Sequence, residues 1–176
     1  MRKLIFLVIL SIFSYANNLV LQEGEIIAHT EIFGDSKINP KTKSIDSKLF
    51  INQNIESIKG DIYINSISLK SDNEDRDEHM YKVLNIELYS TINFEITSIE
   101  KKDLDYKING VLTLNGVKKS ISSIASISKT QNLLNLEGDF FIKLTDFSIE
   151  PPTLLFLTVR DQIDIKYNLS YKKGNK

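Results

Sequence analysis

His29 and His79 are the only imidazoles in a chain of 176 residues that contains no cysteine. A mechanism that passes protons through a histidine pair would have to use both. Nucleophilic catalysis would need a serine beside a histidine beside a carboxylate, and no G-x-S-x-G elbow occurs in the chain. The residues therefore predict no catalytic site and no cofactor. His79 stands in the densest charged stretch, Ser71-Asp72-Asn73-Glu74-Asp75-Arg76-Asp77-Glu78-His79-Met80. Its carboxylates raise the question of calcium. Counted from Asn73, Asp75 and Asp77 fall on ligand positions, but Glu78 stands where such a loop needs glycine and Leu84 where it needs glutamate. The stretch reads as a solvated acidic loop, and no metal site is expected.

The same carboxylates say what element they sit on. Asp and Glu are favoured at a helix N-terminus, so the stretch predicts a short helix near residues 76–85. His79 is expected to anchor that helix through a bond to backbone, and Arg76 to cap it through an ion pair. Direct contact with a bound molecule is the second role open to each.

Nearly everything else follows period two, the spacing that sends alternate side chains to opposite faces of a strand. Tyr106, Ile108, Gly110, Leu112 and Leu114 alternate with Lys107, Asn109, Val111, Thr113 and Asn115. Leu134, Leu136, Gly138, Phe140, Ile142 and Leu144 do the same. So do Ile92, Phe94 and Ile96, then Leu49, Ile51 and Ile55, then Ile58, Ile62 and Ile64. A last strand is expected from Leu157 through Val159, Ile163, Ile165, Tyr167 and Leu169, with Asp161 as its interruption. Turn residues punctuate the pattern at Gly34-Asp35-Ser36, Asn39-Pro40-Lys41, Asn115-Gly116 and Pro151-Pro152. Asn115-Gly116 is a two-residue hairpin signal, because both residues accept positive φ. The whole predicts an all-β antiparallel meander of about eight strands. Half-apolar strands in that number form a sandwich or a closed barrel, and a barrel's lumen is either filled by side chains or holds one small ligand.

The chain opens with Arg2 and Lys3, an apolar run from Leu4 to Phe13, and Ser14-Tyr15-Ala16. That is the form of a secretory signal, expected to be cut after Ala16 and leave one domain over 17–176. The run is too short for the roughly 20 residues of a spanning helix, so no stable membrane insertion is expected after cleavage. Without Arg2 and Lys3 the 22 basic side chains fall to 20 against 23 acidic, a net charge of −3. This argues against nucleic acid as a partner, and none is expected, since phosphate binding is driven by clustered Lys and Arg. A cysteine-free exported chain has neither disulfides nor a lipobox cysteine, and is expected in solution in the periplasm.

Several motifs in one order carry a resemblance. Arg76-Asp77-Glu78-His79-Met80 and the strand opening Tyr89-Ser90-Thr91-Ile92-Asn93-Phe94 are similar to the R-D-x-H-[LM] and Y-P-x-[IV]-x-F elements of the YceI-like family of polyisoprenoid-binding periplasmic proteins. Gly110-Val111-Leu112-Thr113-Leu114-Asn115-Gly116-Val117-Lys118-Lys119 resembles its G-x-L-T-[IL]-x-G-V-x-K hairpin. Asp146-Phe147-Ser148-Ile149 and Val159-Arg160-Asp161-Gln162-Ile163-Asp164-Ile165 resemble its D-F-G-[IL] and V-x-D-x-[VI]-x-I elements. Ser90 and Ser120 stand where the family has proline, Ser148 where it has glycine, and the family's opening with Trp, Asp and His is replaced by Ala28 to Ser36.

The resemblance implies a lipocalin-like barrel with a lipid in its lumen. The lining implied is Ile92, Phe94, Ile96, Ile108, Leu112, Leu114, Phe140, Ile142, Val159, Ile163 and Ile165, with Arg76 and His79 at the mouth. Gly110 and Gly138 are expected to leave space among these side chains. The partner implied is a long isoprenoid or other apolar chain, held for transport, storage or sequestration. Two other classes stay open: a filled-core barrel that works as a protein-interaction module, and an enzyme of isoprenoid or fatty-amide metabolism dependent on His79. Monomer and homodimer are both compatible with the residues.

Overall fold

A computed structural model describes residues 17–32, 35–154 and 156–174. The expected signal over residues 1–16 and the turn residue Gly34 lie outside them. Eight antiparallel strands close into a barrel. They are β1 (Asn17–Ile32), β2 (Ile45–Ile51), β3 (Lys59–Asn65), β4 (Thr91–Lys102), β5 (Asp105–Leu114), β6 (Val117–Lys129), β7 (Leu133–Lys143) and β8 (Gln162–Lys173). Each pairs with the next, and β1 pairs with β8 from Leu19↔Lys173 to His29↔Asp164, which removes the free edges.

The long β1 is matched by two partners in turn. Its start pairs with β2 (Asn17↔Ile51, Leu19↔Leu49), and its far half pairs with the short strands Lys41–Thr42 and Asp35–Ile38. The predicted hairpin at Asn115-Gly116 forms, with both residues at positive φ (49° and 73°) between β5 and β6. In β5 every second residue from Tyr106 to Leu114 is buried or faces inward, as the alternation predicts. β4 departs from simple alternation. A bulge at Thr97, between the pairs Ile96↔Gly110 and Ser98↔Asn109, turns Ile99 inward beside Ile96.

The helix α1 spans Glu74–Val83, two residues earlier than the charge pattern predicts. Asn73 is the reason: its side chain accepts from the Arg76 N–H at 2.9 Å and fixes the first turn. β8 starts at Gln162 rather than Leu157. The strand is interrupted at 159–161, where Asp161 turns aside to the segment Leu144–Phe147. Its backbone carbonyl accepts from the Leu144 N–H, and its carboxylate accepts from the Thr145 N–H at 2.9 Å and the Thr145 hydroxyl at 2.8 Å. Residues before the break form a separate ribbon, Thr153–Leu154 against Leu157–Thr158.

Two apolar clusters fill the interior at different heights. The one at the end holding the chain's first strand residues includes Leu49, Ile51, Ile58, Leu136, Leu169 and Tyr171, all at most 2% exposed. The other gathers Ile64, Leu69, Leu84, Leu112, Leu114, Ile142, Leu144, Phe147 and Ile149 under α1. Ile45 and Phe94 touch both clusters.

Candidate functional site

Between the second cluster and α1 lies a cavity of about 560 Å³. That is within the ~300–1,000 Å³ usual for small-molecule pockets. Its walls come from the inward faces of β1, β3, β4, β5, β7 and β8. Ile92, Leu112, Leu114, Phe140, Ile142, Val159, Ile163 and Ile165 all line it, which places eight of the side chains expected in the lumen around one space.

Phe94, Ile96 and Ile108 are placed elsewhere. Ile96 and Ile108 are buried in the closed cluster, and Phe94 lies at the boundary. The hollow is therefore blind, and the lower half of the barrel is packed shut. The expectation that Gly110 and Gly138 leave the space open is corrected here. A Cβ on Gly110 would stand 2.3 Å from Cζ of Phe94, and one on Gly138 would stand 2.5 Å from Oη of Tyr167. The bare glycines admit aromatic rings that make the floor. Phe94 stacks on Phe140 with centroids 6.2 Å apart, and Phe140 meets Tyr167 at 6.4 Å. The Tyr167 hydroxyl shares a 2.9 Å hydrogen bond with Ser123 Oγ, which donates to the Asp139 carbonyl at 2.7 Å. Burial pushes the Tyr167 phenol up to about 12.

Sequence reasoning missed part of the wall. Ile26, Ala28, Thr30 and Ile32 line the cavity from β1, and Met80, Val83 and Leu84 from the helix. In β1 the signal is blurred because Thr30 faces inward while Ile27 faces outward. In the helix it was there to be read, as apolar residues at i, i+3 and i+4. Thr30 is the polar member of the β1 wall: it is buried, and its hydroxyl has no hydrogen-bond partner among the described residues.

Apart from Thr30, the polar lining gathers on one side of the mouth, over Ser71, Asn73, Asp75, Arg76, Asp77 and His79. Arg76 pairs with Asp72 at 3.6 Å. His79 is exposed, and the bonds to backbone that fasten the helix come from other residues than the one expected. Asp77 accepts from the Ser71 N–H at 2.8 Å and the Ser71 hydroxyl at 2.7 Å. The Tyr81 hydroxyl donates to the carbonyls of Ile67 (3.0 Å) and Leu69 (2.8 Å). The role expected of the imidazole is taken by the buried Asp77 carboxylate and the Tyr81 phenol. His29 sits on the outward face of β1, bonded to Asn39 Oδ1 at 2.7 Å and Glu31 Oε1 at 3.2 Å, away from the cavity lining.

The model of the YceI-like domain matches residues 22–171 of this chain. The chain belongs to the YceI-like family. UPF0312 proteins of Yersinia pestis (strain Pestoides F) and Serratia proteamaculans (strain 568) are 30% identical over 108 residues and 32% identical over 99 residues. Those alignments cover 57% and 52% of this chain, and the chain spans only about half the length of these curated relatives, 56% and 52%. Among solved structures, Burkholderia cenocepacia BcnA superposes with a TM-score of 0.74 at 14% identity, over 84% of this chain and 95% of that one. A polyisoprenoid binding domain from Saccharophagus degradans, implicated in plant cell wall breakdown, superposes with a TM-score of 0.58 at 11% identity, over 90% and 98%. At such identities the likeness is one of fold.

The YceI-like motifs take their places around the mouth. The Arg76 to Met80 element is the helix that covers the cavity, and Asn115 Nδ2 of the hairpin donates to the Phe147 carbonyl at 3.1 Å. Ser148, where the YceI-like pattern has glycine, sits at φ 57°, the left-handed region that glycine enters without cost. Phe147 before it is 1% exposed and plugs the wall under that turn. Among the described residues no helix is long and apolar enough to cross a membrane.

Proposed function

We propose that this YceI-like barrel holds one long apolar chain, of the isoprenoid kind, in the cavity beneath α1, and that it binds without transforming it. The observation that carries this reading is the blind hollow of about 560 Å³, whose polar lining, the lone Thr30 hydroxyl apart, gathers on one side of its mouth. Such a site removes a hydrocarbon tail from water, at about 0.8 kcal/mol per methylene, and leaves a polar end beside Ser71, Arg76 and His79. At the ~30 Å³ that a water-sized group occupies in a liquid, the hollow has room for roughly twenty heavy atoms. A longer chain would leave its remainder at the mouth. The Saccharophagus degradans neighbour, a polyisoprenoid binding domain, points to the same ligand class.

Binding without chemistry is supported by what lines the site. His29 is outside it, and the Ser71 hydroxyl is engaged with Asp77 Oδ1 and the Asn73 carbonyl rather than with an imidazole. For location, the reading is export by residues 1–16 and release after Ala16 into the periplasm.

The test is a titration of the mature chain with prenyl alcohols of increasing length. Affinity is expected to rise with each prenyl unit and level off near four units. Ala28→Trp, which puts an indole into the hollow, is expected to abolish binding while the barrel still folds. Affinity that ignores both chain length and Ala28→Trp would rule out this site.

A further inference from the structure

The ribbon of Thr153–Leu154 against Leu157–Thr158 stands at the lip of the cavity. Thr153 pairs with Thr158 and Leu154 with Leu157, and the two threonine hydroxyls bond at 3.0 Å. Its base is fastened on both sides. The Val159 N–H donates to the Pro152 carbonyl and the Arg160 N–H to the Glu31 carbonyl at the end of β1, each at 2.9 Å. Pro152 and Val159 themselves line the cavity, so whatever holds the ribbon also holds the mouth.

Its tip is built against water. From Pro151 to Val159 the chain carries no charged side chain. Phe156 is 98% exposed and its backbone is left-handed, at φ 72°. A bulky residue in that region is a strained outlier, and outliers of this kind persist where the surroundings or a function require them. Here no burial within the molecule compensates for it. Leu157 beside it is 38% exposed, and Ile67, Leu88 and Tyr89, in the segments flanking α1 at the same end, are exposed as well.

We propose that this lip is a membrane-docking element: Phe156 and Leu157 enter the interfacial zone of a lipid bilayer and set the cavity mouth against it. A bilayer is the occupant that fits, because the lip is continuous with the lining of an apolar hollow. A tail can then pass from one apolar medium to the other without crossing water. Side chains of this type lodge at the acyl boundary and bind reversibly in small number. The purpose assigned to docking rests on the lipid-binding reading of the cavity; the docking itself does not.

Flotation of the mature chain with vesicles of phosphatidylethanolamine and phosphatidylglycerol tests this. The wild type is expected to float with the vesicles, and Phe156→Ser with Leu157→Ser to lower the bound fraction roughly tenfold or more, from the apolar area lost. Leu104→Ser is the control. Leu104 is 92% exposed in the turn between β4 and β5, at the opposite end of the barrel, and its loss should change nothing. Because the chain has no tryptophan, Phe156→Trp supplies a single reporter whose emission should shift to the blue on adding vesicles, while Leu104→Trp should not. No flotation, an equal loss in Leu104→Ser, or an unmoved Phe156→Trp spectrum overturns the proposal. Prenyl binding measured without vesicles separates the two readings. Its absence together with tip-dependent flotation ends the lipid reading and leaves docking in place, while its presence without flotation does the reverse.

Discussion

The ring of Phe94 lies over the bare α-carbon of Gly110, where a Cβ would stand 2.3 Å from Cζ of the ring and 2.6 Å from the Glu95 carbonyl oxygen. This contact seats Phe94 against Phe140 and divides the barrel into a packed half and a hollow half. Gly110→Ala is therefore expected to destabilise the protein by about 1–3 kcal/mol, as overpacking does, since the backbone oxygen cannot yield as a side-chain end can. Thermal denaturation checks it. A melting temperature equal to the wild type's would mean that the floor does not depend on this approach.

Tyr81 and His79 separate two accounts of how the helix is held. Tyr81→Phe removes the donor to Ile67 and Leu69 and should cost about 1 kcal/mol, visible as faster amide exchange in α1 before the barrel strands open. His79→Ala should lie within about 0.5 kcal/mol of the wild type, as exposed substitutions do. The opposite order would return the anchor to the imidazole.

Alkali should find the buried phenols. Burial raises Tyr167 and Tyr171 from 10.0 to about 12, although the hydroxyls of Ser123 and Ser47 work against the shift. The folded state holds these protons more tightly than the unfolded chain. Stability is thus full below about pH 10 and falls as the pH rises toward 12. Tyr171→Phe, which loses the 3.1 Å bond to Ser47 but cannot ionise, should show a shallower alkaline decline in denaturant midpoint. An identical decline in both proteins would locate the alkaline transition elsewhere.

Ser148→Gly should stabilise the turn after Phe147. The residue sits at φ 57°, and the left-handed region costs an L-residue about 1 kcal/mol or more, partly offset by the extra freedom glycine has when unfolded. A rise of about 0.5 kcal/mol in urea unfolding is expected. A fall would mean that the serine side chain contributes more there than the backbone loses.

Strands with one wet face were legible in the sequence, and β5 is the plain case: Tyr106 to Leu114 alternate with Lys107, Asn109 and Thr113, and the burial follows. The hairpin at Asn115-Gly116 was equally plain, because its chemistry is local. β1 was not legible as a wall, since an inward Thr30 and an outward Ile27 cancel the contrast that alternation depends on. The bulge at Thr97 is a two-strand property, and no single strand announces it. Height within the barrel was the larger gap. Ile92 and Ile108 share a facing rule, yet one lines the hollow and the other is sealed in the packed half. That distinction is set across the lumen, where rings from β4, β7 and β8 meet over glycines of β5 and β7, and parity along a strand cannot report it.

Native mass spectrometry of the full chain, expressed from residue 1 and purified without detergent, bears most directly on the cavity. One apolar lipid per barrel, displaced by added prenyl alcohol and missing from Ala28→Trp, is the predicted spectrum. A bare protein mass that stays bare after incubation with prenyl alcohols would contradict the account.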